Sequence, residues 1–199
     1  RLFKAQREEA YVSVALLQVA QAVVSSNSLE ETLSAIVRIT PILVGVKRSL
    51  IFLWDEDEGV FRLAAAYGIP RETGEITFTP AEFPLLDAAR KWDTLMAYPI
   101  DGLDSEEEEA PYAWAHLPAP DLDEVEELIE NTPYLLLAFP LSVKGKVLGV
   151  LLVEEPDPMS VEGYGPGSGW RRLREKRLEI TRGISQQAAM AIQNDQLQR

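Results

Sequence analysis

The residue types that most often carry catalysis are scarce in this chain. Its 199 residues include no cysteine and one histidine, His116. Without cysteine there is no thiolate nucleophile, thiolate metal site or disulfide, and without a second histidine there is no nucleophile relay. His116 lies in a proline-rich stretch, where a surface position is expected. The inventory therefore predicts no catalytic residue, no metal site, no cofactor and no enzymatic activity within these residues.

Acidic residues are the remaining candidates for chemistry. Two pairs stand two positions apart: Asp55 with Asp57, and Asp121 with Asp123. Their oxygens could bind a hard cation, but neither pair belongs to an ordered calcium loop with a central glycine and a closing glutamate. The run Glu106 to Glu109 is typical of a solvated surface. We interpret all of these residues as turns, helix starts and exposed charge.

Composition narrows the class of protein further. With 46% hydrophobic and 26% charged residues, the chain has the composition of one globular domain. The net charge of −13 disfavours a nucleic-acid partner, which clustered Lys and Arg would have to bind. No apolar run reaches the length of a membrane span and no signal peptide is visible, so we expect a cytoplasmic protein without membrane insertion. Because the first residue is Arg1 and not Met, we expect a piece of a longer protein.

Local signals specify a hairpin and the helix after it. Two apolar runs between Leu137 and Leu151 flank Lys144-Gly145, where glycine can adopt positive φ. Gly149 leaves the second strand open to close approach of a neighbour. The stretch Gly183 to Asn194 then has the pattern of a helix that buries a narrow stripe.

The first third of the chain contains a second set of signals. Ser28 and Glu31 form a capping box, so a helix starts at about Leu29 and ends between Pro41 and Gly45. Two strands follow, Arg48 to Asp55 and Val60 to Tyr67, joined by an acidic turn.

These two regions resemble the beginning and end of a GAF domain, a sensory module related to PAS domains. The resemblance rests on the capped helix, the strand SLIFLWD, the segment YGIP, the hairpin and the final helix. It implies an α/β (α+β) fold with three α/β/α layers and an antiparallel sheet in the order 2-1-5-4-3. We expect an N-terminal helix in 1–27, a sensory core in 28–172 with insertions at 101–131 and 156–169, and an exit helix in 173–199.

The lack of cysteine argues against membership of this chain in two branches of the family. Bilin-carrying photoreceptors and free-methionine sulfoxide reductases both depend on cysteine. The Asn-Lys…Phe…Asp-Glu signature of cyclic-nucleotide-binding members is also missing, which disfavours that ligand.

A GAF-like fold would place a pocket between one face of the sheet and its cover. Aromatic and large apolar residues of the middle region are the candidates for its wall, with His116 beside them. The predicted ligand-binding residues are Phe78, Phe83, Leu86, Trp92, Met96, Tyr112, Trp114, His116 and Tyr134. The alternative is that these side chains only fill the core.

Stripes on the first and last helices predict a homodimer. Apolar residues alternate at spacings of four and three in the first helix, as in a coiled-coil seam, and small residues mark the last. The predicted dimer residues are Val12, Leu16, Val19, Val23, Ile184, Ala188 and Ala191. The stripes could instead pack on the sheet, although Leu2 to Ser26 is longer than one sheet face would cover.

We therefore expect a sensory module that binds a small ligand and relays through a dimeric helix bundle. The linkers resemble those of bacterial multi-domain regulators in which GAF precedes a PP2C-type (SpoIIE-like) phosphatase or a histidine kinase. The alternative function is a dimerising scaffold without a ligand, and a standalone enzyme is the third candidate.

Overall fold

One six-stranded antiparallel sheet organises the chain. The computed structural model describes residues 2–70, 73–100, 112–158 and 169–199. The strands are β1 (Arg48–Asp55), β2 (Val60–Tyr67), β3 (Thr77–Phe78), β4 (Met96–Pro99), β5 (Leu135–Val143) and β6 (Lys146–Glu154). Their order across the sheet is β3-β2-β1-β6-β5-β4. β5 and β6 are apolar along most of their length because helices cover both of their faces.

The sheet has one strand more than the predicted order 2-1-5-4-3 counts. The additional strand β3 pairs Phe78 with Phe61 at the edge beyond β2. When β3 is left out, the other five strands follow the predicted order. Two residues are too few for a periodic pattern, so the sequence order needed this correction.

Five α-helices and one short 3-10 helix accompany the sheet in the described ranges. They are α1 (Leu2–Ser25), α2 (Leu29–Val44), α3 (Pro84–Trp92), the 3-10 helix Ala113–His116, α4 (Leu122–Asn131) and α5 (Gly169–Leu197). Helices α2 and α5 cover one face of the sheet, α3 covers the other, and α4 lies against β4. This arrangement confirms the α/β fold with three layers. None of these helices is long and apolar enough to cross a membrane.

The ends of α2 form as the local signals predict. Ser28 Oγ accepts a hydrogen bond from the Glu31 backbone N at 3.2 Å, and Glu31 Oε2 accepts one from Asn27 N at 3.0 Å. At the other end Gly45 has φ 71° and donates to Pro41 O at 2.9 Å. The helix runs through Pro41 and stops at the glycine, which can adopt this left-handed conformation without strain.

The hairpin between β5 and β6 also forms as predicted. Lys144 and Gly145 have φ values of 52° and 79°, so both central residues of the two-residue loop are left-handed. Such a turn matches the right-handed twist of the flanking strands, and Val143 pairs with Lys146 directly beside it.

The two predicted insertions differ in how much of them is described. Residues 101–111 and 159–168 lie outside the described residues, and with them the run Glu106 to Glu109. The described part of the first insertion contains helix α4. Helix α5 begins at Gly169, four positions before the predicted start of the exit helix.

Helix α1 packs on α2 and α5, outside the three layers. The Lys176 ammonium lies 4.3 Å from the centre of the Tyr11 ring, and Gln187 Nε2 donates to Leu16 O at 3.0 Å. Since both contacts advance in the same direction along the two helices, α1 and α5 run parallel.

Candidate functional site

Five aromatic side chains meet on the face of the sheet that α3 covers, and we call them the aromatic cluster. They are Phe52 on β1, Phe78 on β3, Phe83 at the start of α3, and Tyr112 and Trp114 at the 3-10 helix. Four elements from the segment between Arg48 and His116 thus converge at one place. Phe52, Phe83 and Trp114 are buried, whereas Phe78 and Tyr112 are half-buried and form the open side.

The rings of the aromatic cluster contact one another mostly edge to face. Ring centres lie 5.3 Å apart for Phe78 and Phe83, 5.5 Å for Phe78 and Tyr112, and 5.5 Å for Phe83 and Trp114. Each such pair contributes about 0.5–1.5 kcal/mol beyond the area it buries. The cluster therefore forms an apolar surface in which each ring is positioned by its neighbours.

Phe52 belongs to the aromatic cluster although the sequence prediction omitted it. Its ring lies 5.7 Å from that of Phe83 and 5.9 Å from that of Phe78. The register of β1 against β2 shifts between Ile51 and Phe52, so simple alternation does not reveal which face Phe52 occupies. The aromatic residue in the SLIFLWD strand was the available signal.

The other predicted ligand-binding residues lie in different surroundings. Leu86 and Met96 are fully buried in the core, and Trp92 is 59% exposed at the last position of α3. His116 is exposed at the end of the 3-10 helix. Tyr134, with φ 66°, lines a small crevice with Trp170 and Arg174 near the start of α5. Of the nine predicted residues, the structure brings Phe78, Phe83, Tyr112 and Trp114 into mutual contact.

The charged side chains of α3, beside the aromatic cluster, pair with one another. Asp87 on α3 is buried, and it pairs with Arg90 at 2.8 Å and with Lys91 at 3.1 Å. The Arg90 guanidinium also lies 4.1 Å from the Trp54 ring centre, a cation–π contact. Two cations thus share the one carboxylate of α3, and the helix keeps a net positive charge next to the cluster.

The first acidic pair serves the turn between β1 and β2. Asp55 Oδ1 accepts hydrogen bonds from Asp57 N at 3.1 Å and Glu58 N at 3.0 Å, and Oδ2 accepts from Arg62 Nε at 3.0 Å. The bond from the Glu58 backbone, followed by the bond from Arg62, holds the pKa of Asp55 below its ordinary value. Asp121 and Asp123 are exposed at the start of α4. Within the described ranges, no group of His, Asp and Glu is arranged to hold a metal ion.

The predicted dimer stripe of α1 faces its own chain. Val19 is fully buried, and Val12, Leu16 and Val23 pack against the core. On α5, Ile184 and Ala188 are fully buried as well, and Ala191 is half-buried. A Cβ atom added to Gly183 would lie 2.8 Å from Leu16 Cδ1, so α1 and α5 approach closely there. Packing within one chain thus already covers most of this stripe.

Comparison with known proteins identifies the family that this chain matches. A GAF domain profile matches residues 28–192, which is most of the chain. Comparison with curated protein sequences gives no match.

Solved structures with the same fold include GAF domains. One, from a phosphoenolpyruvate-protein phosphotransferase of Coxiella burnetii, is 16% identical with a TM-score of 0.65 and covers 95% of this chain and 96% of its own. The corresponding GAF domain from Acinetobacter is 20% identical with a TM-score of 0.62, over 92% and 93%. A phycoerythrobilin-bound GAF domain from a cyanobacterial phytochrome is 18% identical with a TM-score of 0.58, over 94% and 97%. On the profile match over residues 28–192 and this shared fold, the chain belongs to the GAF domain family.

Proposed function

We propose that this chain is a non-catalytic sensory module that binds a small ligand and relays its presence to an output domain of the same polypeptide. GAF domains are sensory and regulatory modules of signalling proteins, and some bind small ligands. The proposal extends this general role to a ligand site and a helical relay in a cytoplasmic bacterial protein.

The observation that carries the proposal is the position of the aromatic cluster. The cluster lies on the α3 face of the sheet, whereas α2 and α5 cover the opposite face. Its partly exposed members, Phe78 and Tyr112, would admit a flat or apolar ligand against the buried rings of Phe83 and Trp114. A ligand there would contact the sheet without displacing the helices on the other face.

The insertion 101–131 is the proposed lid of this site, and the charge of the protein indicates the ligand class. The described part of this insertion includes α4. Its acidic side chains Asp123, Glu124, Glu126 and Glu127 are exposed. The chain as a whole carries a net charge of −13, so an anionic ligand would approach it against electrostatic repulsion. We therefore expect a neutral or cationic ligand.

The relay would use the terminal helices of a homodimer. The predicted stripe is largely covered within the chain, but α1 carries a second apolar series on its outer face. Val14, Leu17 and Val24 are 54%, 58% and 85% exposed, at spacings of three and seven residues. On α5, Met190 is also exposed. Because these residues recur at coiled-coil spacing on a free face, they are the better candidates for contacts between chains.

The output domain is proposed from the linkers alone. Their resemblance to bacterial regulators suggests a PP2C-type phosphatase or a histidine kinase joined after α5. Helix α5 packs on β5 and β6 and also on α1, so a change in the sheet can reach both terminal helices.

A thermal-shift screen of neutral and cationic metabolites tests the ligand site. A ligand should raise the Tm, and Trp114→Phe should weaken its binding about ten-fold, which corresponds to one lost contact of about 1.4 kcal/mol. Trp92→Phe is the matched control, because Trp92 is exposed at the far end of α3. Equal effects of the two substitutions would place the ligand elsewhere.

The second candidate function is a dimerising scaffold without a ligand. The observation that favours it is the mutual packing of the aromatic cluster, in which the rings already occupy the space between α3 and β1. A screen in which no compound shifts the Tm, together with a stable dimer, would support the scaffold over the sensor.

A further inference from the structure

A buried group of ions connects α5 to three other parts of the chain. Glu155, directly after β6, pairs with Arg174 and Arg177 of α5, and we call these three residues the Glu155 cluster. Arg174 Nε donates to Glu155 Oε2 at 3.0 Å, and Leu135 N at the start of β5 donates to Oε1 at 2.9 Å. All three charged side chains are more than nine-tenths buried.

The cluster has an excess of positive charge, since two guanidinium groups surround one carboxylate. Backbone carbonyls at helix ends supply the balance. Arg174 Nη1 donates to Ile129 O at 2.8 Å and to Thr132 O at 2.6 Å, where α4 ends. Arg177 Nε donates to Val44 O at 3.0 Å, at the last residue of α2. The partial negative charge of a helix C-terminus makes these carbonyls suitable partners for a cation.

The contact with α4 is broader than one side chain. Arg171 Nε donates to Glu130 O at 2.9 Å, so two arginines one turn apart on α5 hold three carbonyls of the segment 129–132. Trp170 covers this region, with its ring 4.8 Å and 4.7 Å from the Arg171 and Arg174 guanidinium carbons.

Apart from these hydrogen bonds, α4 packs on the edge of the sheet, where Ile129 lies partly buried against the core. Val125 is its one buried residue, and the helix contacts β4 at the edge of the sheet. A displacement of α4 therefore moves carbonyls to which α5 is bound. Releasing α4 would leave the buried Arg174 guanidinium without two of its acceptors, which is costly for a buried charged donor, so we expect α5 to follow α4.

We propose that the Glu155 cluster is a mechanical coupling through which the position of α4 sets the position of the first half of α5. This inference rests on the proposed function only in that α4 belongs to the proposed lid and α5 to the proposed relay. The coupling itself is a property of the chain without ligand.

Amide hydrogen exchange on the purified chain without ligand tests the coupling. Val125→Ala loosens α4 from the sheet, and with the cluster intact it should accelerate exchange at residues 173–180 of α5 about five-fold. Leu122→Ala, at a partly exposed position of the same helix, is the matched control and should change α5 by less than about two-fold.

The same substitution is then made in a background without the coupling. Arg171→Ala combined with Arg174→Lys retains a charge at position 174 but removes the planar fork that reaches Glu155 and two carbonyls together. In this background Val125→Ala should change α5 exchange by less than about two-fold. If the double variant does not fold, Arg171→Ala alone should reduce the response by part of its size.

Three results would overturn the coupling. They are no response of α5 to Val125→Ala in the intact chain, equal responses in both backgrounds, or equal acceleration at Leu50 to Phe52 of β1, which would indicate global unfolding. A metabolite screen in which no compound raises the Tm would not change the hydrogen-exchange result. The coupling and the ligand site are therefore tested separately.

Discussion

Gly149 of β6 approaches Phe52 of β1 so closely that a Cβ atom on Gly149 would overlap the carbonyl oxygen of Phe52 and lie 3.3 Å from Leu53 Cα. The obstacle is backbone in the middle of the sheet, where neither strand can move aside without breaking its pairing. Phe52 is the member of the aromatic cluster that β1 provides. The position of the aromatic cluster therefore depends on the absence of a side chain at Gly149 of the neighbouring strand β6.

The substitution Gly149→Ala should destabilise the chain by about 3 kcal/mol through this overlap. Gly183→Ala is the contrasting control, because there the obstacle is the flexible end of Leu16 and alanine gains about 1 kcal/mol of helix propensity. We expect Gly183→Ala to stay within about 1 kcal/mol of the unsubstituted chain in urea unfolding. Similar losses for both substitutions would contradict this explanation.

Glu154 predicts a pH dependence of stability. Burial raises the pKa of Glu154 above its ordinary 4.5, and the Arg48 guanidinium 2.6 Å away and Lys47 offset only part of this effect. The folded chain therefore holds this proton more tightly than the unfolded chain. The protonated form of Glu154 therefore contributes to stability at low pH. This contribution is lost as the pH rises from 4.5, the ordinary pKa, through the raised pKa of the folded chain.

Glu154→Gln should remove this dependence, so the variant should gain stability relative to the unsubstituted chain as the pH rises above 4.5.

Glu82 supplies a control of opposite sign. Hydrogen bonds with Thr79, first of all from its backbone N–H, hold the pKa of Glu82 below its ordinary value. Its contribution is therefore lost as the pH falls, and Glu82→Gln should gain on the unsubstituted chain only in acid. Melting curves from about pH 3 to about pH 8, a range that extends to both sides of the ordinary carboxyl pKa, compare the three proteins.

The 3-10 helix offers a pair of neighbouring residues with opposite expectations. His116→Ala should change stability by no more than about 0.5 kcal/mol, because the side chain is exposed. Trp114→Ala, two positions earlier, should cost about 3–5 kcal/mol because it removes a buried ring that contacts Phe83 and Tyr112. Chemical unfolding measures both, and a loss above about 2 kcal/mol for His116→Ala would contradict the surface assignment.

The outer face of α1 predicts how the chain associates. Leu17→Glu should convert a dimer to monomers, since each buried Leu or Val contributes about 1.5–3 kcal/mol to such an interface before ordering costs. Gln18→Glu introduces the same charge at the next exposed position and should leave the dimer intact. Sedimentation velocity at high micromolar concentration distinguishes these outcomes, and a monomeric unsubstituted chain would refute the dimer.

The elements that sequence predicted best are those with signals of their own. Ser28 and Gly45 mark the two ends of α2, and Lys144-Gly145 fixes the hairpin, because capping and left-handed turns depend on a few adjacent residues. The stripe on α1 was correctly predicted to be apolar and helical. Its spacing could not specify whether the partner was another chain or α5, since both surfaces favour the same pattern.

The site was harder to predict because its residues meet only in the folded chain. The aromatic cluster joins Phe52 to Tyr112 across sixty positions through a bulged strand and a short 3-10 helix, neither of which has a strong local pattern. Glu155 and Arg174 are 19 positions apart, and nothing between them indicates that they pair. Contacts of this kind follow from topology and not from periodicity.

The parallel orientation of α1 and α5 determines where segments attached to the two helices would lie. Tyr11 lies beside Lys176 and Leu16 beside Gly183, so the start of α1 and the end of α5 stand at opposite poles of the helix pair. With 29 residues, α5 alone spans about 43 Å at 1.5 Å per residue. A segment joined before Leu2 and a segment joined after Leu197 would therefore stand in line along one axis, with the sheet attached to its side. In such an assembly, a rotation or shift of one helix along the other would change the relative position of the two attached segments.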